Sequence, residues 1–239
     1  MVEANIQCIA LVGAGPSLDL CLDVMNTLVA RGAFFCVADS VAVAFQKKFP
    51  QTPFCVFTVE TRRHAYLLRL KKNPAAPVTL WAYHNANARN LIKFHQGYTI
   101  QRFKLVGEEG GLPTLYSPGT VFGVMLAFAM ERIAPRGEIH LIGADFSYLD
   151  QRIYTRFLEP HTPLTTRLFT REIWQLEMVF KKTSQVILKH GVVVRTSFEF
   201  LNARENIRAF VERLGEGVRL VEYSPLGVDT AWVEKRAPF

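Results

Sequence analysis

One stretch near the N-terminus, residues 6–19, restricts the folds open to this chain more than any other. It reads Ile-Gln-Cys-Ile-Ala-Leu-Val-Gly-Ala-Gly-Pro-Ser-Leu-Asp, an apolar run of strand length that ends in a glycine-rich turn. Apolar residues then recur at helical spacing between Ser17 and Gly32. The stretch therefore predicts a buried strand, a tight loop and a helix that opens at Ser17.

The glycine-rich loop also suggests a ligand. Residues without a Cβ let the backbone approach a bound group, and the free N–H groups and dipole of the following helix favour an anion. A phosphate is the expected guest, and Gly15→Val is expected to remove nucleotide binding while leaving the fold largely intact. The alternative, a plain turn that needs glycine for geometry alone, stays open because Leu18 stands where a dinucleotide fingerprint has its third glycine.

Composition limits the class of protein. The chain has 239 residues, of which 49% are hydrophobic and 12% aromatic, enough for the core of one large α/β domain. No apolar run reaches the roughly 18 residues that span a bilayer, and no basic segment precedes the first apolar run. We therefore expect a cytoplasmic protein. The four cysteines stand singly in apolar segments, which predicts buried, reduced thiols rather than a zinc or redox motif.

The net charge of +7 indicates an anionic partner, either nucleic acid, a membrane surface or a phosphorylated small molecule. Basic residues are mostly dispersed along the chain. The one cluster comprises Arg62, Arg63, Arg69, Lys71 and Lys72. Such a run is typical of the solvated face of a helix. We expect a phosphorylated small-molecule substrate, no nucleic acid and no membrane span, and the oligomeric state is left open.

Continuous apolar strands alternate with amphipathic helices in the first part of the chain, and a less regular middle follows. Further strands are predicted at residues 33–38, 54–59, 78–83, 98–106, 139–143, 192–195 and 218–223, and further helices at 40–49, 121–133, 171–190 and 203–214. Strands that are apolar throughout indicate a parallel sheet covered on both faces. The prediction is a Rossmann-like α/β fold, mainly parallel with helices on both faces, in a single domain over residues 1–223 with an irregular tail at 224–239.

Polar residues follow several of these strands. Gly13, Asp39, Glu60 and Asp145 each stand at a predicted carboxyl end, where ligands bind in open parallel sheets, and His84 can reach the same rim. Asp39 and Asp145 can alternatively cap the turns that follow them. A second small-residue helix start occurs at residues 117–120, Ser-Pro-Gly-Thr. Gly123, inside that helix, predicts close packing or a ligand's approach.

Four motifs in order carry a family resemblance: Gly-Ala-Gly-Pro-Ser-Leu at 13–18, Ala-Asp-Ser at 38–40, Ser-Pro-Gly-Thr-Val at 117–121 and Ile-Gly-Ala-Asp-Phe-Ser-Tyr at 142–148. Over about residues 9–223 the chain resembles the MptE-like family. That family includes archaeal 6-hydroxymethylpterin diphosphokinases and the bacterial motility accessory factors, which are flagellin glycosyltransferases. The same layout is similar to the bacterial sialyltransferases that use CMP-sialic acid.

The resemblance implies a nucleotide-dependent transferase. Our first hypothesis is transfer of a nonulosonic-acid type of sugar from a CMP-type donor, with a protein such as flagellin as a candidate acceptor. The second is pyrophosphate transfer from ATP to a hydroxymethylpterin, which would need Mg²⁺ near Asp39, Glu60 and Asp145. The third is a non-catalytic nucleotide-binding protein. Ala14 replaces an asparagine of the sialyltransferases, and Glu60 replaces the usual aspartate of MptE-like proteins, so the donor stays open.

Residue roles also follow from the resemblance, by position. The implied nucleotide-binding residues are Gly13, Gly15, Pro16, Ser17, Asp39, Ser117, Gly119 and Thr120. The implied catalytic residues are Asp145, Tyr154 and His161, and the implied substrate-binding residues are Glu60, Tyr148 and Arg156. His161 is the counterpart of the sialyltransferases' catalytic histidine, and an imidazole titrates close to neutral pH, as a general base requires. No metal-ligand set is assigned.

Overall fold

The computed structural model describes residues 5–59, 70–86, 98–149, 183–189, 192–214, 217–224 and 234–235. The strands are β1 (Ile6–Val12), β2 (Phe34–Ala38), β3 (Phe54–Thr58), β4 (Val78–Tyr83), β5 (Thr99–Leu105), β6 (Thr114–Leu115), β7 (Ile133–Ile142), β8 (Tyr148–Leu149), β9 (Thr183–Lys189), β10 (Val192–Ser197), β11 (Arg219–Glu222) and β12 (Glu234–Lys235). The helices are α1 (Leu22–Ala30), α2 (Asp39–Lys48), α3 (Val121–Met130) and α4 (Phe198–Leu214), with a 3-10 turn at Pro16–Leu20.

The main sheet confirms the predicted fold class. Among the described residues its order is β12-β11-β7-β1-β2-β3-β4-β5-β6, and every neighbouring pair is parallel. The strands β8, β10 and β9 form a separate antiparallel sheet. The architecture is therefore a Rossmann-like α/β fold with a mainly parallel sheet.

Two adjacent residues of β2 show that helices cover both faces of this sheet. Phe35 packs against Phe45 of α2, with ring centroids 5.0 Å apart, whereas Phe34 stacks on Phe128 of α3 at 6.4 Å. Because neighbouring residues in a strand point to opposite faces, α2 and α3 lie on opposite sides of the sheet. The predicted covering of both faces is confirmed.

Helix α3 is buried along most of its length, from Phe122 to Ala129. Its Gly123 had two predicted explanations, close packing and a ligand's approach. A Cβ at this position would lie 2.7 Å from the ring of Pro118. Packing against the loop that precedes the helix is therefore sufficient to require glycine here.

Several local predictions were wrong in their bounds. The helix expected from Ser17 begins at Leu22, after the 3-10 turn. The helix expected at 171–190 does not extend to its predicted end, because residues 183–189 form β9, which pairs with β10. The tail at 224–239 is not irregular throughout, since residues 234–235 form β12 beside β11. In the last two cases backbone pairing with another strand decides the structure.

The four cysteines are free thiols. Cys21, Cys36 and Cys55 are buried as predicted, while Cys8 is only partly buried. Burial raises the pKa of the Cys21 and Cys55 thiols to about 12. Both therefore remain protonated and unreactive at neutral pH.

A charged network joins α1 to the two strands on one side of β1. The carboxylate of Glu138 in β7 accepts hydrogen bonds from Arg31, just after α1, at 2.9 Å and from Arg219 in β11 at 2.7 Å. The buried His140 lies beside it, with Nε2 3.3 Å from Glu138 Oε2 and Nδ1 3.1 Å from the Tyr223 hydroxyl. One carboxylate thus links three elements.

We expect this network to make stability depend on pH. The hydrogen bond from Arg31, with the nearby positive charges, holds the pKa of Glu138 below its usual 4.5. Because the folded-state pKa is the lower one, the stabilisation is present above about pH 4.5 and is lost as pH falls through the folded-state pKa. Glu138→Gln should therefore destabilise the protein at pH 7 in urea unfolding, and the difference from wild type should shrink at pH 3.

The matched control is Glu212→Gln, which removes an exposed carboxylate paired with Arg208 within α4. Exposed pairs of this spacing contribute about 0.3–0.5 kcal/mol, so this variant should stay close to wild type at both pH values. A Glu138→Gln deficit of the same size at pH 7 and pH 3 would show that the carboxylate's charge is not what stabilises the network.

Candidate functional site

The order of the strands puts the switch point of the sheet, where a ligand crevice is expected, next to β1. The chain leaves β1 towards β2 on one side, while β7, much later in the sequence, pairs with β1 on the other side. In such sheets the loops diverge at this switch point, and ligands bind outside the carboxyl ends of the two strands. Val12 and Ile142 are paired at these ends, and Gly13 and Gly143 follow them directly.

The loops after β1 and β7 contact each other through their backbones. Gly13 N donates to Ile142 O at 2.8 Å, and Gly15 N donates to Gly143 O at 2.9 Å. A Cβ on Gly13 would lie 2.5 Å from Gly143 O, and a Cβ on Gly15 would lie 2.6 Å from the same oxygen. These contacts require glycine at both positions for packing of the loops, and phosphate binding by the loop stays a prediction.

Asp145 joins the same pair of loops. Its side chain is buried, and Oδ2 accepts a hydrogen bond from Ser17 N at 2.8 Å, at the start of the 3-10 turn. A Cβ on Gly15 would overlap this carboxylate oxygen. Asp145 therefore holds the 3-10 turn after β1, which is a structural role different from a cap on the turn that follows it, and its implied catalytic role is a separate prediction.

Two buried hydroxyls near these loops lack a hydrogen-bond partner among the described residues. They are the Oγ atoms of Ser17 and Ser147, whose residues are 0% and 3% exposed. A buried hydroxyl without a partner costs free energy, so such an atom is expected to meet a ligand or a water molecule. Ser147 was not singled out from the sequence, because a serine after a strand is too common to be a signal.

The start of α3 lies against both loops. The ring of Phe122 comes within 3.1 Å of a Cβ placed on Gly13 and meets the ring of Phe146 edge to face at 6.2 Å. Thr120 is the N-cap of α3, since its hydroxyl accepts from Gly123 N at 3.1 Å. The second helix start predicted from the sequence is therefore brought to the β1–β7 crevice.

Phe146, directly after Asp145, has a φ of +48°, in the left-handed region that residues other than glycine rarely occupy. Its carbonyl accepts from Thr196 Oγ1 of β10 at 2.8 Å. Strained residues of this kind persist where the surroundings hold them, and they cluster at ligand sites. Before α3, Gly119 has a φ of +96° and lies beside Ala203 of α4, while Ser117 and Pro118 precede it in the same loop.

Asp39 follows β2, the other neighbour of β1. Its Oδ1 accepts from Ser40 N at 2.7 Å and its Oδ2 accepts from Thr58 Oγ1 at 2.6 Å, so the carboxylate binds one amide in the first turn of α2 and is held by the end of β3. Neighbouring strands lie about 4.8 Å apart, which puts Asp39 next to the glycine loop on the predicted rim. Thr58 was missed because a threonine at the end of a strand carries no signal of its own.

A second polar group lies at the end of β4, and we call Tyr83, His84 and Glu108 the β4 cluster. One carboxylate oxygen of Glu108 accepts from the Tyr83 hydroxyl. The other accepts from Leu105 N at 2.7 Å and lies 3.1 Å from His84 Nε2. The His84 and Glu108 side chains are 29% and 30% exposed. Glu108 was missed because its loop shows no periodicity.

The remaining predicted site residues cannot be placed with these. Glu60, Tyr154, Arg156 and His161 lie outside the described residues, as do Arg62, Arg63 and Arg69 of the basic cluster, and Tyr148 is described only as the first residue of β8. Within the described ranges no group of three or more histidine, cysteine, aspartate or glutamate side chains is arranged to hold a metal ion. In those same ranges no helix is both long and apolar enough to cross a membrane.

Fold and crevice together define a Rossmann-like α/β protein with a candidate ligand site at the switch point of its sheet. The solved structure of the MAf glycosyltransferase from Magnetospirillum magneticum AMB-1 has a similar fold, with a TM-score of 0.65 and 12% sequence identity. The match covers 100% of this chain and 34% of that one, so this chain spans about a third of its length. No protein-family model and no curated protein sequence matches the chain. The likeness shows a shared fold.

Proposed function

We propose that this chain is a glycosyltransferase that takes a sugar from a CMP-type donor, with the donor phosphate bound in the crevice between β1 and β7. One observation carries the proposal: three segments contact each other there. They are the glycine loop after β1, Gly143 after β7 and the start of α3. The shared fold with a MAf glycosyltransferase supports the transferase class. The acceptor we propose is a protein hydroxyl, as in the flagellin glycosyltransferases that the sequence resembles.

Helix α3 supplies the electrostatics for a phosphate. Its positive dipole end lies beside the β1 loop. The N–H groups of Val121 and Phe122 are in the first turn, where backbone N–H groups have no acceptor within the helix. A single phosphate can be met by such N–H groups without a metal ion. The buried Ser17 hydroxyl adds a donor after the glycine loop.

Asp39 is the residue that we propose for the ribose. An ionised carboxylate accepts about four hydrogen bonds, so it can accept from a sugar hydroxyl as well as from Ser40 N and Thr58 Oγ1. An acidic residue after the second strand has this role in dinucleotide-binding folds. Thr58 would orient the carboxylate, because its hydroxyl holds one of the two oxygens.

Thermal unfolding with added nucleotides tests the proposal. CMP in EDTA should raise Tm, since a ligand at 100 times its Kd adds roughly 2.7 kcal/mol, or about 5–10 °C for a chain of this size. The 2′-deoxy form of CMP should raise Tm less, because Asp39 would lose the ribose hydroxyl. The difference between the Tm increases with CMP and with its 2′-deoxy form should narrow in Thr58→Val. Thr58→Ser keeps the hydroxyl and should preserve that difference.

Other outcomes would support other functions. Stabilisation by ATP only with Mg²⁺, and none by CMP, would favour the pyrophosphate transfer to a hydroxymethylpterin and contradict our proposal. Stabilisation by CMP without any turnover of a CMP-activated sugar would favour a non-catalytic nucleotide-binding protein. No shift with any nucleotide would contradict nucleotide binding itself.

A further inference from the structure

The β4 cluster lies on the same carboxyl edge of the sheet as the crevice, away from the loops that we propose for the donor phosphate. β4 is three strands from β1, a separation of about 14 Å at about 4.8 Å per strand. His84 directly follows β4, and its backbone N still donates to Phe103 O of the neighbouring strand at 2.8 Å. Its side chain is therefore carried by the sheet edge rather than by a long loop.

Glu108 is fixed independently of His84. The Tyr83 hydroxyl and Leu105 N bind its carboxylate, and Lys104 Nζ donates to its backbone carbonyl at 2.9 Å and to Gly110 O at 2.6 Å. The hydrogen bond from Tyr83, followed by that from Leu105, holds the pKa of Glu108 below its usual value, so the carboxylate is ionised at neutral pH. The loop that contains Glu108 is therefore held in place without any contribution from the imidazole of His84.

The position of His84 relative to this carboxylate fixes its tautomer. An ionised carboxylate only accepts hydrogen bonds, so the imidazole nitrogen next to it, Nε2, carries the proton. The lone pair is then on Nδ1, and the side chain is 29% exposed. An oriented imidazole with one nitrogen held by a carboxylate and a lone pair on the other has the arrangement of a general base.

We propose that His84 is the general base of the sugar transfer, with Glu108 as its positioning residue; this inference rests on the proposed function. The acceptor hydroxyl gives its proton to Nδ1 as its oxygen forms a bond to the anomeric carbon. The bond from that carbon to the phosphate oxygen breaks, and CMP leaves with the electron pair. Glu108 then faces an imidazolium and stabilises its charge.

The separation between His84 and the crevice suits this role. The leaving phosphate and the attacking hydroxyl stand on opposite sides of the anomeric carbon, with reacting atoms about 3 Å apart, and the base must reach a further 3 Å or so beyond the hydroxyl. The base therefore belongs across the sugar from the phosphate. His84, three strands from β1, is far enough from the phosphate to stand on that far side of the sugar.

The test measures CMP release from CMP-N-acetylneuraminic acid, a CMP-activated nonulosonic acid, with water as the acceptor and the enzyme-free rate subtracted. His84→Ala should lower kcat by roughly 10²- to 10⁴-fold, with CMP affinity unchanged in the thermal shift. Glu108→Gln should move the acid limb of the pH–rate profile to lower pH, because a neutral amide stabilises an imidazolium less than a carboxylate does. Glu109→Gln, the exposed neighbour with the same loss of charge, should leave the profile in place.

His161→Ala, measured alongside, separates the two histidines. Full activity in His84→Ala with loss in His161→Ala would overturn the inference and leave the proposed function standing. An unmoved profile in Glu108→Gln would overturn the positioning role even if His84→Ala fails to fold. A wild-type protein that releases no CMP above background would overturn both proposals. The thermal shift with CMP would then show whether this protein still binds CMP without catalysis or does not bind it.

Discussion

Gly15→Val should lower the free energy of unfolding by about 3 kcal/mol, a large effect for one added side chain. The physical reason is the lack of space. A Cβ at this position would overlap Asp145 Oδ2 and would lie 2.6 Å from Gly143 O, a backbone atom that cannot turn away. Urea unfolding at pH 7 measures the effect, and the sequence-based expectation that this variant keeps an intact fold is corrected.

The matched control for this variant is Gly111→Val. Gly111 has no atom within 4 Å of its Cβ position and its φ is not in the left-handed region, so the same chemical change should cost little. If Gly15→Val and Gly111→Val unfold at the same urea concentration, the loops after β1 and β7 do not pack as described. Loss of CMP binding in Gly15→Val is meaningful only under conditions where the variant is folded.

Asp145→Ala should destabilise the protein by about 1–3 kcal/mol, because it leaves the buried Ser17 N–H without its acceptor. Asp145→Asn keeps an oxygen that can accept from Ser17 N and should recover most of that stability. Urea unfolding of both variants separates the loss of the hydrogen bond from the loss of charge. Equal destabilisation by the two substitutions would mean that the cap needs the charge as well as the acceptor.

The same pair of variants tests the implied catalytic role of Asp145. If the carboxylate takes part in the transfer, Asp145→Asn should be nearly as stable as wild type and yet lose turnover of the CMP-activated sugar. If Asp145 only caps the 3-10 turn, Asp145→Asn should keep both the stability and the turnover of the CMP-activated sugar. The stability of the asparagine variant therefore makes its kinetics interpretable, which the alanine variant does not allow.

Much of the sheet was predictable because its signal is local. Central strands of such a sheet are buried on both faces and are therefore mostly apolar, and β2, and β3 up to its terminal Thr58, are continuous apolar runs of strand length. Their parallel pairing was expected from the amphipathic helices predicted between such strands, since consecutive parallel strands need a crossover. For the same reason Asp39 and Asp145 were correctly expected on one edge, whereas Glu60, expected there too, lies outside the described residues.

The ends of several elements were decided by their pairing with other strands. Helix α3 was expected to continue to Ile133, but Ile133 pairs with Ile6 at the start of β7. Residues 183–189 carry no strong helix or strand signal, and their pairing with β10 settles them as strand. Local propensity amounts to tenths of a kcal/mol per residue, so a row of backbone hydrogen bonds with a neighbouring strand overrides it.

The sequence by itself determined that this chain has a covered parallel sheet, a glycine turn after its first strand and polar residues along one rim. The tertiary structure alone decided what those glycines meet. Ser17 and Asp145 are 128 positions apart, and Glu108 reaches His84 from a loop after the next strand. Burial and periodicity are properties of neighbouring residues and can be read locally. Contacts between distant loops depend on the order of the strands, to which no local pattern corresponds.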